Sequence, residues 1–136
     1  MPWVRLLKEN GYDVFAIAPS GAWNKQIEAS GAKYIEWQLS RSGRNPISEI
    51  RSVFKLTRIL KQIKPDIVQN FHTKPNIYAP IAAKLAGIDI TVSTVTGLGY
   101  TFVDKSGIGS YFAKRLNLSM YALSNRLADQ VTFQNP

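Results

Sequence analysis

Cysteine is absent from this 136-residue chain. No disulfide framework and no thiolate metal site can therefore be built, and the absence fits a reducing compartment. Histidine is nearly absent: His72 is the only one. No second ligand stands at helix or hairpin spacing from it, which argues against a metal site. No apolar run approaches the roughly 18 residues of a membrane span, and the N-terminus lacks the apolar core of a signal peptide. The expected location is the cytoplasm. Acidic residues are also scarce, nine Asp and Glu against seventeen Lys and Arg, for a formal charge of +8. Such a balance favours anionic partners: nucleic acid, acidic lipid headgroups or phosphorylated substrates. Nucleic acid is disfavoured, because the basic residues are spread along helix faces and no nucleic-acid motif accompanies them. Internal repeats and low-complexity stretches are lacking too.

Hydrophobic content of 45% and charged content of 19% describe a globular chain, long enough for one domain with a real core. Apolar periodicity switches repeatedly between helix and strand. Met1 to Asn10 reads as a helix stopped by Gly11, and Tyr12 to Ala18 as a buried strand. Asn24 to Ser30 is a short helix, and Tyr34 to Leu39 a half-buried strand near a sheet edge. Ser48 is placed to cap a helix with Glu49 in its first turn and an inward stripe of Ile50, Val53, Phe54, Leu56, Leu60 and Ile63. Arg51, Lys55, Arg58 and Lys61 fall largely on its other side, either as a solvated face or as a phosphate or membrane contact.

Ile67-Val68 then begins a strand after Pro65, and Ile77 to Ala86 reads as a helix ended by Gly87. Pro80 must fall in the first turn of that helix or kink it. Ile90 to Val95 is a strand, Ser110 to Asp129 a long helix, and Val131 to Phe133 a last strand. The long helix should present Phe112, Leu116, Met120, Leu123 and Leu127 on one face. The alternation predicts an α/β, Rossmann-like, doubly wound domain with a mainly parallel sheet. The strands at Ile67-Val68 and Val92 to Thr94 should be buried parallel neighbours.

In open parallel sheets, ligands sit beyond the carboxyl ends of the strands. His72, with Thr73, Lys74 and Asn76, falls at such a place, and all four can hold phosphate or hydroxyl oxygens. A loop histidine bonded to backbone is the competing reading. Gly97-Leu98-Gly99 follows a strand, but Phe102 stands where a dinucleotide fingerprint needs its third glycine. Gly97 and Gly99 suit either a backbone wall close to a ligand or a plain turn. Glu28 and Glu36 have an E-x7-E spacing but belong to a helix and the next strand, so they need not share a site. Asn117-Leu118-Ser119 is a sequon inside a helix and carries no weight.

Several of these stretches together resemble the N-terminal domain of bacterial GT-B glycosyltransferases of the family 4 type. They are Leu7 to Val14 with Ala16 to Pro19, Pro65 to Val68, His72 to Tyr78, Val95 to Tyr100, and Val131 to Pro136. The resemblance covers nearly the whole chain and is strongest with the subset that builds capsule, O-antigen and related polysaccharides. It implies retaining transfer of a sugar from a nucleotide-diphosphate sugar to a lipid-linked glycan acceptor, with no metal or other cofactor. His72 would lie near the reacting sugar, Thr73, Lys74 and Asn76 would contact substrate, and Gly97 and Gly99 would shape the cleft wall. Residues 1–136 would form an acceptor-side domain whose first strand and donor-binding domain lie outside the chain. It would be inactive alone, completed by a donor-domain partner and peripheral to an anionic membrane. A non-catalytic binding module of the same fold and a fragment of a sugar-nucleotide epimerase are the alternatives.

Overall fold

The computed structural model describes residues 2–39, 46–96 and 108–134. Helices and strands alternate throughout: α1 (Pro2–Glu9), β1 (Phe15–Ala18), α2 (Asn24–Ala29), β2 (Lys33–Glu36), α3 (Pro46–Ile63), β3 (Ile67–Phe71), α4 (Thr73–Ala86), β4 (Ile90–Val95), α5 (Ile108–Leu127) and β5 (Gln130–Phe133). Every strand pairing is parallel. Each pair is joined through a helix, the connection that parallel neighbours require. The α/β, Rossmann-like class expected from the alternation is the one observed. The strands form two sheets among the described residues, β1-β2 and β3-β4-β5, where one sheet was expected. The chain divides correspondingly into two units, Met1–Ser52 and Val53–Pro136.

In the first unit Val4, Ile27 and Ala32 form a small core, with Val14, Ala16 and Tyr34 packed against it. Gly31 ends the α2 turn at φ +95°, a backbone state that side-chain-bearing residues rarely adopt. The strand expected from Tyr12 starts only at Phe15 and is half-buried throughout. The reason lies in Asp13, whose carboxylate pairs at the surface with Lys33 at 3.1 Å and Lys8 at 3.4 Å. An ion pair left in water holds that stretch outside the core. Beyond β2, the Trp37 amide donates to the Ala18 carbonyl (2.9 Å), and the indole Nε1–H donates to the Ser52 carbonyl (3.0 Å).

Helix α3 begins at Pro46, so Ser48 lies inside its first turn and does not cap it. Proline suits that first position because its missing N–H would be unpaired there in any case. The inward stripe also differs from expectation. Leu56 and Leu60 are buried, but Ile50 and Phe54 are 58% and 62% exposed. Ser52 and Thr57 take the inward positions instead. Their hydroxyls donate to the Ser48 and Val53 carbonyls one turn back, at 2.9 and 3.0 Å, so burial leaves neither unsatisfied.

In the second unit Ile67 stands opposite Ile90, Phe71 opposite Thr94, and Thr94 opposite Thr132. Helix α4 packs on β3 and β4, and α5 packs on α4. Asn70, Thr91, Ser93 and Val95 are buried, while Ile67, Phe71 and Ile90 on the alternate positions stay exposed. The strands are thus parallel neighbours as expected but buried on one face only. On α5 the expected Leu123 is 51% exposed and its neighbour Ser124 fully buried; the side chains of Phe112 and Leu116 lie outside the described residues. Asp129 clamps β4 to the start of β5. Its carboxylate accepts from the Thr91 amide (2.7 Å) and hydroxyl (3.1 Å), and those bonds hold its pKa below the ordinary carboxylate value.

Candidate functional site

Strand β3 ends at Phe71 and helix α4 begins at Thr73, leaving His72 as the entire connection. A strand turns into a helix across one residue only by a sharp change of backbone direction. His72 accordingly sits at φ 70°, ψ 161°. That region is essentially reserved for glycine, and holding another residue there costs on the order of 1–3 kcal/mol. A glycine would fit without this strain, yet the position carries the chain's only imidazole. Strain of this kind persists where the surrounding structure over-determines a functional residue.

The side chain of His72 is exposed and reaches the end of the neighbouring strand. Its Nδ1 lies 3.1 Å from the Thr96 hydroxyl, just beyond β4. This commits one ring nitrogen to the protein, so Nε2 is the atom that can meet a substrate. If Thr96 donates to Nδ1, Nε2 carries the proton and donates; with the other tautomer it accepts. His72 is also the N-cap of α4 but makes no side-chain capping bond. The positive end of the helix therefore faces the same place.

Thr73 and Lys74, expected as substrate contacts, follow in the first turn and are half-buried, with Lys74 engaged in an interaction of its own. Asn76 is placed differently: it is 1% exposed, inside the fold. Its amide N–H donates to the Thr94 carbonyl at 2.9 Å, tying α4 to β4 directly behind the histidine. Its Oδ1 is buried with no hydrogen-bond partner among the described residues. Burial raises the pKa of Tyr121 on α5, and a hydrogen bond from Asn76 opposes that shift. Gly97 and Gly99 lie outside the described residues.

The helix was expected to begin at Ile77, with Thr73 to Asn76 in a loop. It begins at Thr73 because Pro75 falls in the first turn, where no helical N–H is required. Pro80 is consequently a helix-interior residue. It cannot donate to the carbonyl four residues earlier, that of Asn76. Ser124 on α5 supplies the missing donor: its hydroxyl bonds to the Asn76 carbonyl, with both residues buried. Sequence reasoning identified neither Thr96 nor Ser124 as part of this end of the domain. Thr96 had a weak signal, a hydroxyl at a strand end immediately before Gly97; Ser124 had none.

Glu28 lies on α2 and Glu36 closes β2, on separate elements as read from their spacing. Among the described residues no three His, Asp or Glu side chains gather as a metal site would require. A groove lined by Lys61, Lys64, Pro65, Ala86, Gly87 and Ile88 lies at the amino ends of β3 and β4, away from His72.

These features define an open parallel α/β domain with a polar site at the carboxyl ends of two adjacent strands, centred on a strained histidine at a helix N-terminus. The chain belongs to the glycosyl transferase 4-like family, whose model matches residues 1–135. It is 31% identical over 135 residues to the N,N'-diacetylbacillosaminyl-diphospho-undecaprenol alpha-1,3-N-acetylgalactosaminyltransferase of Campylobacter jejuni. That match covers 99% of the chain and 36% of the relative. A second match, 34% identical over 62 residues, is to the UDP-Gal:alpha-D-GlcNAc-diphosphoundecaprenol alpha-1,3-galactosyltransferase of Escherichia coli. It covers 46% of the chain and 16% of that enzyme. The chain thus spans about a third of the length of the Campylobacter relative. Among solved structures, MurG of Acinetobacter baumannii superimposes with a TM-score of 0.65 at 19% identity. That match covers 99% of the chain and 36% of MurG, and it shows the fold.

Proposed function

We propose that the chain forms the acceptor side of a retaining glycosyltransferase of surface-polysaccharide biosynthesis. The enzyme that contains it would move a hexosyl or N-acetylhexosaminyl group from a nucleotide-diphosphate sugar to a hydroxyl of a lipid-linked glycan, working at the cytoplasmic face of a membrane. The observation that carries this reading is the His72 turn, an imidazole held in a glycine-only backbone state at the carboxyl end of β3. The named substrates of the two curated relatives are both diphospho-undecaprenol glycans, which supports the acceptor class.

In the reaction the bond from the sugar's anomeric carbon to the donor diphosphate breaks, a bond from that carbon to the acceptor oxygen forms, and the acceptor hydroxyl's proton passes to the departing diphosphate. Positive charge develops on the sugar while the leaving group gathers negative charge. Positioning and electrostatics therefore supply most of what a protein can contribute. His72 Nε2 orients a hydroxyl of the acceptor or the sugar and steadies charge next to it, with its ring fixed by Thr96. Thr73 and Lys74 line the entry to the same turn, and the α4 N-terminus favours an anionic group such as the acceptor's diphosphate. Asn76 holds the turn against β4 from inside. No metal or organic cofactor is invoked; the nucleotide sugar is a substrate, held by a donor-binding domain.

Transfer assays on the enzyme assembled with its donor-binding domain test the reading. Wild-type assemblies should glycosylate a lipid-linked acceptor, and His72→Ala should lower the rate by ~10²-fold or more. Undiminished turnover by His72→Ala would assign the histidine a structural role. Turnover by the 136-residue chain without a donor-binding domain would overturn the acceptor-side assignment.

A further inference from the structure

We infer that Trp23, supported by Trp3, is a stacking platform for a pyranose ring, so that the first unit carries a carbohydrate subsite of its own. The chain has three tryptophans, and the fold treats them in two ways. Trp37 is 3% exposed, with its indole N–H bonded to the Ser52 carbonyl. Trp3 and Trp23 are 55% and 64% exposed, and neither indole has a hydrogen-bond or cationic partner among the described residues. An indole left in water forgoes one of the largest apolar burials a side chain can offer. Two of them at one end of one unit mark a binding surface.

Both lie at the carboxyl ends of β1 and β2, the end at which open parallel sheets bind ligands. Trp23 is the last residue before α2, in the connection that leaves β1 after Ala18. Trp3 stands in the first turn of α1. Helices α1 and α2 lead into parallel strands and share one core through Val4 and Ile27. Their C-terminal ends meet, since a Cβ built on Gly31 would lie 3.4 Å from Lys8 Cγ. The two helices therefore run side by side in one direction, and their first turns come to the same end of the unit. The backbone under Trp23 is pinned. Its carbonyl accepts from the Gln26 and Ile27 amides, both at 3.0 Å, and the Asn24 amide donates to the Gly21 carbonyl at 3.3 Å. An indole displayed on a fixed backbone loses little freedom when it binds.

The chemistry around the indole selects the occupant. A pyranose is apolar on its C–H faces and hydrogen-bonding around its rim. An indole matches the face and carries an N–H at its own edge. Ser20 and Lys25, both exposed, and the half-buried Asn24 stand close to Trp23 in the chain and can meet the rim. A wholly apolar occupant would strip water from those groups and return no hydrogen bond. The assignment rests on the transferase reading for its ligand class, a glycan, but it does not use the His72 turn. The test involves no sugar transfer, so its failure leaves that reading standing, and lost transfer with sugar binding intact leaves this one standing.

The full chain labelled with fluorotryptophan is followed by fluorine NMR, and Trp3→Phe and Trp23→Phe assign its three tryptophan signals. Titration with methyl N-acetyl-α-galactosaminide should shift the Trp23 signal saturably, shift that of Trp3 less, and leave that of the buried Trp37 in place. Uridine and geranyl diphosphate stand in for a nucleobase and a lipid carrier, and should shift the Trp23 signal little. Saturation transfer from the protein to the sugar's ring protons gives a second readout. Trp23→Ala should weaken sugar binding about tenfold or more, whereas Trp23→Tyr, which keeps a flat ring, should retain most of it. The side chain is exposed, and unchanged circular dichroism verifies that the variants fold. If one does not, the signals of the unsubstituted chain decide. An unshifted Trp23 signal, a larger response to uridine or geranyl diphosphate than to the sugar, or full sugar binding by folded Trp23→Ala would each overturn the assignment.

Discussion

At the scale of single residues, two that break local rules shape the candidate site. His72 occupies backbone space that favours glycine, so His72→Gly and His72→Ala should separate strain from chemistry. Both remove the imidazole and both should lose transfer activity. Glycine relieves the strain and alanine does not, so His72→Gly should melt higher than His72→Ala by several degrees. Equal melting temperatures would mean that the turn carries little strain. The second is Pro80, whose missing N–H is replaced by the Ser124 hydroxyl. Ser124→Ala should leave the buried Asn76 carbonyl unpaired and cost about 1–3 kcal/mol, measured by denaturant unfolding. Ser124→Ala combined with Pro80→Ala should recover part of that loss, because alanine returns the helical donor.

Asp13 and Asp129 add a pH dependence. Lys33, and then Lys8, lower the pKa of Asp13; the Thr91 amide lowers that of Asp129. A carboxyl with a depressed folded-state pKa stabilises the fold fully above its unfolded pKa, about 3.9, and loses that contribution as pH falls through the folded value. Melting temperature should therefore hold between pH 7 and 5 and drop below about pH 4. Asp129→Asn should flatten part of that drop.

At the scale of elements, legibility in the sequence followed locality. Strand β4 was readable to the residue, Ile90 to Val95, because a β-branched run broken only by Ser93 is a local signal. The start of α4 was not, because Pro75 looks like a helix breaker unless its first-turn position is known. The tolerance of Pro80 depends on a serine far along the chain, which no window of sequence contains. On α3, periodicity placed Ile50 and Phe54 in the inward stripe with Leu56 and Leu60, whereas the structure leaves the first two exposed. Small hydroxyl residues settled it, since Ser52 and Thr57 can satisfy themselves one turn back when buried. The place of His72 directly after a strand was legible, whereas its positive φ and its bond to Thr96 were not. Both arise from how β3, α4 and β4 meet.

At the scale of the whole molecule, β1 pairs only with β2, and β3 only with β4, among the described strands. Each of β1 and β3 thus has one row of backbone donors and acceptors without a strand partner, and such edges promote strand addition. The 136-residue chain should therefore self-associate as its concentration rises, with the apolar Ile67 and Phe71 beside one such edge. Sedimentation velocity over a concentration series would reveal it. A monodisperse, thermally robust monomer would show that those edges are protected.

The central claim is that the His72 turn receives a lipid-linked acceptor, and the chain provides an unusually clean probe of it. With one histidine in the sequence, its imidazole gives the only histidine side-chain resonances in the proton–nitrogen spectrum. Titration with a short-chain prenyl-diphosphate-linked amino sugar should shift those resonances saturably. Thr96→Val, which removes the hydroxyl that orients the ring, should weaken the response. Imidazole resonances that stay fixed while other residues respond to the same acceptor would place binding elsewhere and contradict the account.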